Sequence, residues 1–419
     1  MITAVDSNSR TAAAHPLKPA KRPRDVRLDV FRGLCLVIIY VAHIWDNPWA
    51  SFIPARFGFS DATEIFVFCS GMASAVAFGG TFAKRGFWIG TARILHRCWQ
   101  VYWAHIGLFL VVIGFLAGVD RAWNTGGAYI AGLGLSSALN EHGPDMLFGL
   151  LTLRFVPNFF DILPMYLVVL VMLPLVVALA ELDKRILTML LLALWAIAST
   201  GVFDLPALSW APEPGKPYKT WFFNPFSWQI IFFTGFAFMM DWLPPPPRSK
   251  ALIAFCAAFV ALSVPLAWWP GIEDSPRLLG WSEVIAPLTN KTHFGPLRFL
   301  HFLALAYLAF VAAGENGVRL TGPGADALRR LGQQSLAIFL SGMVLSFVAS
   351  VLLNVTGRGV VATAVINLGG IGVLVIIARG VTWFKSSPWI KEPAKPGSVT
   401  TQQVAALPAT PRPVRAAAE

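Results

Sequence analysis

Charge is scarce in this chain. Only 13% of its 419 residues are Asp, Glu, Lys or Arg, against 56% hydrophobic, and mean hydropathy is +0.63. A soluble protein of this length would divide into two or three domains and carry about a quarter charged residues. Cysteine is equally sparse. Cys35, Cys69, Cys98 and Cys256 each sit in an apolar window, and none is at metal-ligand spacing. They read as free buried thiols, so no metal site and no tightly bound cofactor are expected. A phosphate-binding loop, a dinucleotide fingerprint and a nucleophile elbow are all missing, which excludes the common soluble-enzyme sites. The first 28 residues are polar and basic and lack a short apolar core with a small-residue cleavage site. The first apolar run is therefore expected to stay as a helix.

What the chain has instead is a succession of long apolar runs. About ten are long enough to cross a bilayer. They centre on 29–48, 60–80, 92–117, 161–181, 186–204, 227–243, 251–269, 297–315, 331–354 and 361–383. The expected fold is all-α, a polytopic integral membrane protein of about ten transmembrane helices. Residues 26–385 form its single domain. Segments 1–25 and 386–419 are rich in Ala, Pro, Lys and Thr and read as disordered tails.

The net charge of +11 could point to nucleic acid. The basic residues, however, lie in the tails and between apolar runs, where they orient helices. With the N-terminus inside, the outer loops hold only Arg56, Arg121, Arg154, Lys216, Lys219, Arg277, Lys291 and Arg358. Most other Lys and Arg fall inside, so both termini are expected to be cytoplasmic and no nucleic-acid partner is expected. The outer segments 118–160, 205–226 and 270–296 are large and rich in Trp, Phe, Pro and Gly. They either handle something on the outer side or simply belt the interface.

Polar residues inside the runs carry the functional question, because they are costly in hydrocarbon. The first run, RLDVFRGLCLVIIYVAH, contains Asp29, Arg32 and His43. At about 100° per residue all three fall within an arc of about 60°, spread over about 21 Å of helix. Asp29 and Arg32 can pair near the inner end, and they can equally anchor the interface. His43 lies deep in the outer half, as a general base or as a bond to a neighbouring helix.

In FGFSDATEIFVFCSG, Asp61 and Glu64 lie one turn apart with Ser60 as candidate N-cap. The carboxylates either suit the helix start or fix the His43 tautomer. In TARILHRCWQVYWAH, Arg93, Arg97 and Gln100 share a face beside His96. That face either holds the phosphates of a nucleotide-bearing donor or carries positive-inside charge. His105 points elsewhere and reads as structural. Arg298 and His301 lie one turn apart at an outer helix end, where they can meet Asp61 and Glu64. Gln333, Gln334 and Ser335 mark an inner end, and Trp228 and Gln229 the outer start of another helix.

These residues resemble a known family. RLDVFRG followed by His43 is similar to the first-helix motif of the transmembrane acyltransferase superfamily. FGFSDATEIFVFCSG, ARILHRCWQVYWAHI, FDILPMYLVVL, FNPFSWQIIFFTG, LRFLHFLALAYL and LGQQSLAIFLSG resemble its OpgC branch, over about 24–383. The resemblance implies a multi-pass bacterial inner-membrane enzyme. It implies that succinyl groups pass from cytosolic succinyl-CoA, a co-substrate, to glucose hydroxyls of osmoregulated periplasmic glucans. Within the superfamily, acetyl groups and other envelope polysaccharides are alternatives. It implies that His43 is catalytic, with Asp29 and Arg32 as site residues. Direct transfer and an acyl-histidine intermediate both stay open, as does a homo-oligomer. A transporter is the alternative from another class, with the buried charges as its path; the lack of internal repeats weighs against it.

Overall fold

The computed structural model describes residues 25–209 and 219–389. Most of both tails, and Lys216, lie outside the described residues. The helices are α1 (Val26–His43), α2 (Ala62–Ser74), α3 (Gly80–Trp123), α4 (Ala128–Gly132), α5 (Ser136–Asn140), α6 (Gly143–Leu151), α7 (Ile162–Leu182) and α8 (Lys184–Ala198). They continue with α9 (Pro225–Met239), α10 (Lys250–Ser263), α11 (Trp269–Glu273), α12 (Pro276–Thr289), α13 (Pro296–Ala313), α14 (Pro323–Gln333), α15 (Ser335–Thr356) and α16 (Val360–Lys385). Among the described residues the only strands are β1 (Pro206–Ala207) and β2 (Lys219–Thr220), an antiparallel pair with Pro206 opposite Thr220.

Every apolar run singled out in the sequence is helical. Among the described residues, five helical runs are long and apolar enough to cross a membrane: 62–123, Ile162–Leu182, Pro296–Ala313, Ser335–Thr356 and Val360–Lys385. The surface fits that reading. Val360, Val361 and Ile376 on α16, and Trp88 and Trp99 on α3, are exposed, and lipid suits such side chains better than water does.

Three local expectations need correction. The connection expected between the second and third runs is helical. α2 passes through a π-helical turn, Ala75–Gly79, into α3, and the break comes at Gly86 with φ +78°. The large outer segments hold α4, α5, α6, α11 and α12, because Pro and Gly there punctuate short apolar stretches rather than prevent them folding. The run expected from 331 divides at Gln334. Before it stands α14, a strongly amphipathic helix whose charges hide it from a hydropathy reading.

α1 is the organising helix, packed against α14, α2 and α15. Its contact with α14 is backbone to backbone. A Cβ on Gly33 would fall 1.9 Å from the Leu328 carbonyl oxygen, and one on Gly332 would fall 1.8 Å from that of Asp29. Only glycine permits this approach. Past its other end the chain is tied down by side chains. Asn47 and Asn367 exchange amide hydrogen bonds of 2.9 and 3.1 Å, and Asn47 Nδ2 also donates to the Val41 carbonyl. The Trp45 N–H donates to Ser350 Oγ at 2.8 Å. Buried polar groups satisfied this fully fix one geometry for the turn that follows His43.

Candidate active site

Polar side chains gather at the two ends of α1. At its first turns Asp29 is buried, and its Oδ2 accepts from Gln333 Nε2 at 3.2 Å. Arg32 donates from Nη2 to the Ser335 hydroxyl. Its Nε is buried with no partner among the described residues. Ser335 is the first residue of α15, so the guanidinium faces a helix N-terminus, a place that favours anions. Gln334 accepts from Lys385 Nζ at 2.6 Å and donates to Thr382, which closes this end against α16. Sequence reading placed the glutamines and Ser335 near this end but did not bring them to α1.

His43 is the last residue of α1, about 21 Å away along the axis. Its Nδ1 lies 2.7 Å from the Ile39 carbonyl oxygen. A carbonyl only accepts, so Nδ1 carries the hydrogen and Nε2 carries the lone pair. Nε2 has no hydrogen-bond partner among the described residues. The tautomer is thus fixed by the carbonyl one turn back in α1, not by a carboxylate of α2 as the sequence allowed. The Phe159 ring stands edge-on to the imidazole at 5.7 Å, from a residue with φ +75°. A non-glycine residue held there costs about 1–3 kcal/mol, which the surrounding contacts must offset.

An ion network joins α2, the loop between α12 and α13, and α13. Asp61, not Ser60, is the N-cap of α2. Its carboxylate accepts from Thr63 N–H while Glu64 reaches back to the Asp61 N–H at 2.7 Å, a capping box. The loop between α12 and α13 brings Lys291 Nζ to within 2.6 Å of Asp61 Oδ2. From α13, Arg298 Nη1 lies 2.6 Å from Glu64 Oε1 and 3.8 Å from Asp61 Oδ2. Asp161 is the buried residue that precedes α7.

The remaining expected residues divide. Arg298 meets the α2 carboxylates as the sequence allowed, but His301 does not. His301 Nδ1 lies 2.8 Å from Ser60 Oγ, and its Nε2 is buried without a partner among the described residues, against Gly58. Trp228 and Gln229 are fully buried and so support the site rather than touch an acceptor. Trp228 Nε1 donates to the Lys291 carbonyl at 2.9 Å, and Gln229 Nε2 ties α9 to the Leu191 carbonyl of α8. Arg97 donates to Gln100 at 3.1 Å, and Gln100 meets His96. Arg93 bonds Thr81 and lies over the Phe78 ring. These α3 residues form a patch of their own, and no described hydrogen bond joins it to Arg32. All four cysteines are free, three of them buried and Cys98 half-buried. Among the described residues no cluster of His, Cys, Asp or Glu could hold a metal ion.

Sequence reasoning missed Lys291 and Asp161. Lys291 counted only as an outer-loop charge, and Asp161 lay unremarked within FDILPMYLVVL. Lys291 lies just past the end of α12 and Asp161 just before α7, and only the tertiary fold brings Lys291 to Asp61.

Residues 24–386 match the family model of the OpgC protein. The chain belongs to the OpgC family. The match spans both ends of α1 and every residue of the two clusters. No curated protein and no solved structure matches the chain. OpgC membership supports a transferase role in modifying osmoregulated periplasmic glucans, and the apolar helices support a place in a membrane.

Proposed function

We propose that the protein is an inner-membrane O-acyltransferase that moves a succinyl group from cytosolic succinyl-CoA to glucose hydroxyls of periplasmic glucans. In this reading ten helical runs cross the bilayer and both termini are cytoplasmic. The observation that carries it is the state of His43: Nδ1 is tied to a carbonyl, and Nε2 is left without a hydrogen-bond partner among the described residues. A general base must hold its lone pair towards the proton it takes, and this imidazole is fixed that way.

The donor's anionic headgroup docks at the inner end. Arg32 offers an unsatisfied Nε beside a helix N-terminus, and Arg93, Arg97 and Gln100 offer a second basic patch. Asp29 positions the inner end through Gln333. The thioester reaches the outer half of α1. His43 Nε2 takes the proton of a glucan hydroxyl, whose oxygen attacks the thioester carbonyl carbon. Collapse of the tetrahedral intermediate expels the CoA thiolate, which leaves with the proton from His43. The products are a succinyl ester and free CoA.

The purified protein in proteoliposomes, given labelled succinyl-CoA and glucan, tests the reading. Labelled ester from the wild type and none from His43→Ala is the expected result. Movement of either substrate across the bilayer without ester formation would sink it. Mass spectrometry of the glucans separates succinyl from acetyl by the increment each leaves.

A further inference from the structure

A base takes a proton only from a hydroxyl held against it, and a glucose ring carries several hydroxyls around its rim. The ring itself must therefore be held. One face of a pyranose is made of C–H groups, which pack on the flat face of an aromatic side chain while the rim keeps its polar partners. We infer that Phe159 is the platform on which the acceptor glucose ring stacks while His43 takes its proton. The assignment rests on the acyl-transfer reading above and adds how that site holds its acceptor.

Three features carry it. The first is contact. The Phe159 and His43 rings stand 5.7 Å apart by their centres, at 68° to each other. Stacked rings lie about 4.5–7 Å apart by their centres, so a sugar on Phe159 has its rim beside the imidazole. Nε2 is the ring nitrogen left to meet it. The second is exposure. Phe155, Val156, Pro157, Phe160 and Asp161 are buried, whereas Phe159 is only half-buried. A side chain that merely packed against the imidazole would be buried with its neighbours. His43 is half-buried too, so base and platform open together. Asn158 and Arg154 in the same segment are exposed, and polar side chains suit water rather than lipid. The open side of Phe159 is thus the side from which a soluble glucan arrives.

The third is the backbone. In the short connection from α6 to α7, Leu153 has φ +56° and Phe159 φ +75°. Such values are costly for a side chain with a Cβ and persist only where the surroundings impose them. Here they do. The N–H groups of Arg154 and Phe155 both donate to the Gly149 carbonyl, at 2.8 and 2.9 Å, and the Phe160 N–H donates to that of Pro157 at 3.1 Å. The Leu208 N–H donates to the Arg154 carbonyl at 2.7 Å. The Phe160 ring lies parallel to Phe347 of α15 at 6.3 Å and edge-on to Phe109 of α3 at 5.3 Å. With Phe160 anchored in the core, the left-handed turn before it presents Phe159 to His43. A platform held this way is ready before the acceptor binds.

The test uses the full-length protein in proteoliposomes, with succinyl-CoA saturating and the glucan concentration varied. Phe159→Leu keeps bulk but loses the flat face. It should raise the glucan KM about 3–10-fold, with kcat within about twofold and the succinyl-CoA KM unchanged. Phe159→Trp, which keeps a flat face, should stay near the wild-type KM. A fall in kcat at an unchanged glucan KM would overturn the assignment and make Phe159 a brace for the imidazole. A rise in the succinyl-CoA KM alone would also overturn it, because the ring would then line the donor's path. Should Phe159→Leu fail to fold, Phe159→Gly decides, since glycine removes the ring and accepts φ +75° freely. The same rise in glucan KM upholds the inference, and an unchanged KM refutes it. No ester from the wild type would refute acyl transfer itself. Ester from the wild type with a glucan KM indifferent to Phe159 would refute this assignment alone.

Discussion

The two ends of α1 solve opposite problems with similar residue types. At the His43 end both cations are matched. Arg298 meets Glu64 and Asp61, and Lys291 meets Asp61. At the Arg32 end the guanidinium bonds a neutral hydroxyl, faces a helix N-terminus and has no partner for Nε among the described residues. A buried donor without an acceptor costs about 1–3 kcal/mol, so a protein that keeps one has a use for it. In the proposed reading the matched end holds a geometry and the unmatched end receives the donor's anion.

Breaking the matched end at its base should have the largest effect. His43→Ala is expected to cut transfer about 10²–10⁴-fold while the protein still inserts and folds, the range a general base contributes. Normal glucan charge in cells carrying that variant would refute the role. Next comes the ion network. Arg298→Met leaves the buried Glu64 without its ion-pair partner, and removing one partner of a buried pair costs about 3–5 kcal/mol. The expected sign is a clear drop in Tm in detergent, largely recovered in Arg298→Met/Glu64→Leu. A single variant as stable as the wild type would show that the pair holds nothing together.

The unmatched end should respond differently. Arg32→Ala removes a charged hydrogen-bond donor worth about 1.5–3 kcal/mol, so the donor KM should rise about 10–100-fold with Tm little changed. A lower Tm with an unchanged KM would reverse the comparison.

The sequence made α1 legible because one helix carries its own arithmetic. Asp29, Arg32 and His43 share a stripe by residue spacing alone, and the structure keeps them on one helix with their separate ends. What spacing could not supply were partners from distant segments. Ser335 reaches Arg32 across 303 positions, and Lys291 reaches Asp61 across 230. The N-cap was misplaced by one residue because Ser60 and Asp61 are equally good caps, and only the bond from Ser60 to His301 separates them. α14 escaped because a short helix with Asp326, Arg329 and Arg330 reads as a charged loop until α1 supplies its apolar partner.

The glycine seam between α1 and α14 also acts as a wall. Where Gly33 and Gly332 bring two backbones into contact, nothing as wide as a pantetheine chain can pass. A donor anchored at Arg32 must climb α1 on another side. On the α2 side it would meet two thiols, Cys35 of α1 and Cys69 of α2, the latter near enough to feel the charges of Arg32 and Asp29. Both are buried, so neither is open to alkylation as the helices stand.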